Sequence, residues 1–151
     1  MSYDLMVFDP DKAPRTKKVF FEWYSIQTEK GGDDYRVASV PLQNWFMEMK
    51  EKYPPMNGPL TLTDEQLAAD ERLDTLQSDY GIGEEMIYVA FAWSICDEVY
   101  EDVLRLARKH KVGLYEVSHC HPQIILPDGT LITDEEPKRS VWGKVKRLLN
   151  K

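Results

Sequence analysis

The sequence predicts an α+β fold in which a mixed β-sheet is covered by helices, and three observations lead there. Residues 86–93 are almost continuously apolar after the Gly81-Ile82-Gly83 break, as in a strand buried on both faces. Apolar residues then recur at helical spacing through Cys96, Val99, Tyr100, Val103, Leu106 and Ala107. The chain has 151 residues, a length that buries one self-sufficient core, so 1–151 reads as a single domain.

From the N-terminus, Tyr3 to Phe8 is rich in strand formers and closes on the turn chemistry of Asp9-Pro10-Asp11. From Thr16 the spacing becomes helical, with Val19, Phe20, Trp23, Tyr24 and Ile26 on one side, until Gly31-Gly32 stops it. A second helix follows from Leu42, Trp45, Phe46, Met49 and Tyr53, with Ser39 as cap and Pro41 in the first turn. Pro54-Pro55 ends it, and residues at about 54–85 read as a long acidic surface loop with at most one short helix near Asp64 to Leu67.

After the strand at 86–93, Ser94-Ile95-Cys96-Asp97 has capping-box spacing. The helix it opens carries acids in its first turns and Arg105, Arg108, Lys109, His110 and Lys111 in its last, matching the helix dipole at both ends. Gly113 is expected to supply the C-terminal turn, and Leu114 to Val117 a short strand. Ile124 to Leu126 and Leu131-Ile132 flank Pro127-Asp128-Gly129 as a hairpin. Ser140 is expected to cap a last helix with Val141, Trp142, Val145, Leu148 and Leu149 inward. Residues 86–117 fit a right-handed βαβ crossover, so a ferredoxin-like variant is the expected topology.

Composition narrows the function classes. The content is 42% hydrophobic, yet no stretch approaches the ~18 apolar residues of a membrane span. Asp4 and Asp9 stand where a secretory signal needs a basic flank and an uninterrupted apolar core, and only Cys96 and Cys120 occur, so the expected setting is cytoplasmic. A net charge of −7 speaks against nucleic acid as the partner. The charge is uneven: between Tyr53 and Leu104 twelve carboxylates face Arg72 alone.

The residues that carry chemistry are few, and no catalytic residue, metal site or cofactor is expected. His119-Cys120-His121 would place two histidines on one face of a strand, but two ligands do not make a metal site, and no Cys-x-x-Cys or His-Glu-x-x-His element supplies the rest. The plainer reading leaves one histidine exposed and Cys120 packed inward. A nucleophile at Cys120 or Cys96 would need a base and oxyanion donors brought by the fold, and Cys96 reads as packing. Gly81-Ile82-Gly83 precedes a strand, whereas a phosphate loop follows one. Trp23, Tyr24, Trp45, Phe46, Trp93 and Trp142 fall at core positions and read as packing, not as a stacking platform.

The acidic stretch has two readings. Carboxylates keep a surface solvated, and they also steer a basic partner toward apolar anchors such as Leu60, Leu62, Leu67, Leu73, Leu76 and Tyr80. On the second reading the partner-binding residues are Asp64, Glu65, Asp70, Glu71, Asp74, Asp79, Glu84 and Glu85.

Ser2-Tyr3-Asp4-Leu5-Met6-Val7, Met56-Asn57-Gly58-Pro59, Ala92-Trp93-Ser94 and Gly113-Leu114-Tyr115-Glu116 are scattered over most of the chain. In these stretches it resembles small bacterial cytosolic proteins of the contact-dependent or polymorphic toxin immunity type. The resemblance implies a protein that neutralises a basic toxin domain, such as a nuclease with a cationic cleft, by forming a stoichiometric complex. The alternatives are an enzyme of unrecognised type or a small-ligand sensor, either with its site near His119 and His121.

Overall fold

A computed structural model describes residues 1–134 of the chain. Tyr3 to Phe8 form β1, which is apolar at every position except Asp4 and lies in the middle of a five-stranded sheet. The other strands are β2 (Asp79–Ile82), β3 (Met86–Phe91), β4 (Gly113–Tyr115) and β5 (Ile124–Ile125), in the order β2-β3-β1-β4-β5. Every neighbouring pair is antiparallel, so the sheet is not mixed as the sequence led us to expect. The two strands of the crossover, β3 and β4, do run parallel to each other. β1 is inserted between them and bonds to both, which is the split βαβ arrangement. The order β2-β3-β1-β4 is that of a ferredoxin-like unit, with β5 added at one edge.

The helices are α1 (Lys17–Glu29), α2 (Val40–Lys52), α3 (Asp64–Ala68), α4 (Leu73–Leu76) and α5 (Cys96–His110). Side chains alternate along β1, so Tyr3, Leu5 and Val7 meet α2 and α5, through Leu42, Trp45 and Phe46 on one helix and Val99, Val103 and Leu106 on the other. Met6 and Phe8 point the opposite way, into a second cluster with Phe20 of α1, Tyr115 and Ile124. The sheet is thus covered on both faces. No helix among the described residues is long and apolar enough to cross a membrane.

Several local expectations are corrected. Val19 and Ile26 are exposed. The inward sector of α1 centres on Phe20 and Tyr24, and at ~100° per residue those two positions lie well outside it. The acidic loop is shorter than predicted, because Asp79-Tyr80-Gly81-Ile82 is the edge strand β2, with Tyr80 and Ile82 buried between less buried neighbours. Its free edge is tied at both ends, by bridges from Gly32 to Ile82 and from Pro55 to Ser78. The loop also holds α4 in addition to α3. The capping box sits on α3, where Thr63 Oγ1 accepts from the Gln66 amide and Gln66 Oε1 from the Thr63 amide. Ser94 does not cap α5; Trp93–Ile95 form a single 3-10 turn that leads into the helix.

Gly113 does not make the turn after α5 either. That turn is made by Lys111, in the left-handed region at φ 59° and ψ 43°. Gly113 belongs to β4, where the Phe8 ring occupies the space of the missing side chain: a Cβ there would lie 2.2 Å from Phe8 Cζ. The hairpin after β5 is present as expected, with Ile125 bridged to Leu131 and the Ile132 and Leu126 amides bonded to the Ile124 and Thr130 carbonyls at 2.9 and 2.8 Å. The expected last helix, with Val141 and Trp142, lies outside the described residues.

Two substitutions test this account. Gly113→Ala forces the Phe8 ring aside and is expected to cost about 2–3 kcal/mol in urea unfolding; an unchanged midpoint would mean that the ring moves freely. Lys111→Gly relieves a left-handed lysine and is expected to raise stability by about 0.5–1 kcal/mol in the same assay.

Candidate functional site

The eight carboxylates assigned to partner binding are brought to several places. Asp64 and Glu65 stand in the first turn of α3, where they complement the helix dipole. Asp70 pairs with Arg72 at 3.1 Å, and that hydrogen-bonded guanidinium holds its carboxyl below the usual range. Glu71 and Asp74 are exposed around α4. Asp79 opens β2 and accepts from Asn57 Nδ2 at 3.5 Å, whereas Glu84 and Glu85 lie past the far end of that strand. Glu85 accepts from the Trp23 indole at 2.8 Å.

A groove of about 560 Å³ runs beside this region, between α4 and the adjoining ends of α2 and α5. Most of its charges are paired. Lys52 bridges Glu98 and Asp102, Tyr53 donates its hydroxyl to Asp102 at 2.7 Å, and Arg72 is held by Asp70.

A different cleft, of about 620 Å³, opens where β1 begins, β3 and β4 end and α5 starts. The register pairs Tyr3 with Phe91, which sets Tyr3 beside the chain as it turns into Trp93; their rings are 5.1 Å apart. After β4 the chain folds back over the start of β1: the Ser118 amide donates to the Asp4 carbonyl at 3.2 Å, and Ser118 Oγ accepts from the Asp4 amide at 2.8 Å. This turn delivers His119 to Tyr3. The Tyr3 hydroxyl and His119 Nε2 are hydrogen-bonded at 2.7 Å, and the His119 ring lies 5.2 Å from that of Tyr100.

Behind these rings lies Glu116, a carboxylate only 5% exposed. It accepts from the Gln123 amide at 3.1 Å and from the Tyr100 hydroxyl, and it faces His119 Nδ1 at 3.7 Å. A proton on Nδ1, the nitrogen facing this carboxylate, makes Nε2 the acceptor of the Tyr3 hydroxyl. Burial pushes the Tyr3 phenol up, with Cys96, Tyr100, Glu116 and Asp97 adding to it. Tyr100 is pushed up to about 12, by burial first and by Glu116 second. Both are therefore neutral hydroxyls at physiological pH, fit to position a ligand and unfit to act as phenolate bases.

The mouth is set by Asp97 and Glu101, exposed and one turn apart on α5, and by Trp93, which is 39% exposed. Trp93 is thus not the core residue that its spacing predicted. Cys120 is exposed, not packed inward, and Cys96 is half-buried with Sγ 3.9 Å from the Asp97 carboxylate. The Asp97 carboxylate supplies no positive charge to stabilise a thiolate at Cys96. His119 and His121 stand in an irregular loop, not on a strand, and only His119 lines the cleft. Among the described residues no group of three or more side chains is placed to hold a metal ion.

Sequence reasoning did not pick out Tyr3, Tyr100, Glu116, Asp97 or Glu101 as a site. One signal was available, since Tyr3, Trp93 and Glu116 fall in three of the four stretches that carry the family resemblance. Comparison of the chain with protein-family models, with curated proteins and with solved structures finds no match.

The raised tyrosines fix the alkaline behaviour. A phenol whose folded value lies above its unfolded value of ~10 keeps its full contribution to stability below that pH and loses it as pH rises through the folded value. The urea midpoint is expected to hold up to about pH 9.5 and to fall over roughly pH 10–12. Tyr100→Phe is expected to flatten the fall; an equally steep decline in that variant would show that Tyr100 ionises as freely as in the unfolded chain.

Proposed function

We propose that the chain is a binding protein that forms a stoichiometric complex with a basic protein partner, in the manner of an immunity protein that neutralises a toxin domain. The observation that carries this reading is the cleft at the end of the sheet: its aromatic walls are fixed from behind by a buried carboxylate, and its mouth carries Asp97 and Glu101 with no lysine or arginine among the described lining residues. A surface of this kind attracts cations and offers them flat apolar faces. Asp64, Glu65, Glu71 and Asp74, which have no ion pair among the described residues, add long-range attraction for a basic surface. The hydroxyl and imidazole groups are held in place by one another and by Glu116, an arrangement suited to positioning a bound group.

A second reading, a small-ligand sensor, draws on the ordered His119 and the volume of the same cleft.

Co-expression with the product of the gene immediately upstream tests the first reading. Rescue of growth is expected, together with a one-to-one complex whose affinity falls as salt rises. Reversing Asp64, Glu65 and Asp74 to lysine is expected to slow association about tenfold at low salt with little effect on dissociation. No toxicity and no complex would withdraw the reading, and an unchanged association rate would remove the steering role of these carboxylates.

A further inference from the structure

We propose that the cleft is a receptor for a single guanidinium group, the head of an arginine side chain presented by the basic partner. This rests on the binding-protein reading and adds to it the chemistry of the contact.

A guanidinium is flat, remains charged, and carries donors in its plane, so it is held best between an aromatic face and carboxylates at the edge of that face. The cleft supplies both. Trp93, with 39% of its surface open to solvent, offers the accessible aromatic face, and the buried Tyr3 ring, 5.1 Å away and tilted by 53°, backs it. The His119 ring stacks on Tyr3 at 5.8 Å and lies 5.2 Å from that of Tyr100, which continues the aromatic lining toward α5. Asp97 and Glu101 are four residues apart on α5, so both carboxylates rise on one side of the helix at the mouth.

What marks these two as available is the fate of the neighbouring acids. Glu98 and Asp102, on the other side of the same helix, are taken up by Lys52, Arg105 and Tyr53. Glu116 is taken up by Tyr100 and the Gln123 amide. Asp97 and Glu101 have no cationic partner among the described residues. The floor is ordered before any ligand arrives, since Glu116 holds Tyr100 and faces His119 while His119 holds Tyr3. Little rotamer freedom is left to lose on binding. A lysine ammonium would meet the carboxylates but would leave the flat faces without a matching plane.

The test uses the full chain and N-acetyl-arginine amide as probe, following the Trp93 indole resonance in ¹H–¹⁵N spectra with Trp93→Phe for assignment. A saturable shift in the millimolar range is expected. It should be weakened about three- to tenfold in Asp97→Asn/Glu101→Gln, whose side chains are exposed and whose loss leaves the fold intact. The neutral isostere N-acetyl-citrulline amide should give no saturable shift. An equal response to citrulline, a tighter response to the lysine amide, or no saturation with the arginine probe would each overturn the assignment. Tighter binding of free arginine than of the blocked amide would make the occupant a small molecule and overturn the partner side chain as its source.

Failure of the broader reading is separable. Saturable arginine binding without any partner complex leaves the guanidinium site standing and removes the immunity role. A partner complex of unchanged affinity in both Trp93→Ala and the double carboxylate variant keeps the binding role and removes the site.

Discussion

Burial of β1 on both faces is the constraint from which the rest of the architecture follows. Leu5, Met6, Val7 and Phe8 are each at most 1% exposed, and fully burying such side chains is worth about 1.5–3 kcal/mol apiece. A strand buried on both sides also needs hydrogen-bonded neighbours on both edges, which β3 and β4 provide. It needs two covering layers as well. The crossover helices α2 and α5 cover the Tyr3, Leu5 and Val7 side; α1 exists to cover Met6 and Phe8. The approach on that second side is close enough that β4 begins with a glycine under the Phe8 ring.

The legible parts of this fold were those with strong periodicity. The apolar stripe of α2, the dipole-matched α5 and the unbroken run of β3 could all be read from local spacing. β2 could not: its four residues sit in an acidic stretch, include a glycine, and bury only Tyr80 and Ile82, a pattern too short to stand out from a loop. Gly113 read as a helix stop because glycine usually is one, but the requirement it meets is a ring from a strand far away in sequence. The cleft was still less legible. Tyr3 and His119 are 116 residues apart, and only the sheet register and the fold-back of the loop after β4 bring them together. His119 drew attention in the sequence, but for its spacing to His121, which lies away from the cleft.

Counting carboxylates along the sequence treated them as equivalent, and the fold divides them into three kinds. Asp34, Asp70 and Asp102 are locked to arginines or lysine and serve the local chain. Glu116 is buried and acts on hydroxyl and amide donors, ordering the aromatic walls of the cleft. Asp97 and Glu101, with the exposed acids of α3 and α4, remain turned outward. Strand addition along β2 is hindered, because that edge strand is already bridged at both ends. What a partner meets is side chains.

The insertion of β1 between β3 and β4 also orders events in time. β1 pairs with Met86–Phe91 on one side and Gly113–Tyr115 on the other, and both follow it by many residues in the chain. Until both have been synthesised, its apolar faces have no finished sheet to join. Synthesis of β4 supplies the second neighbour of β1, and the turn that follows it, with Ser118 and His119, must be made as well before the cleft is assembled.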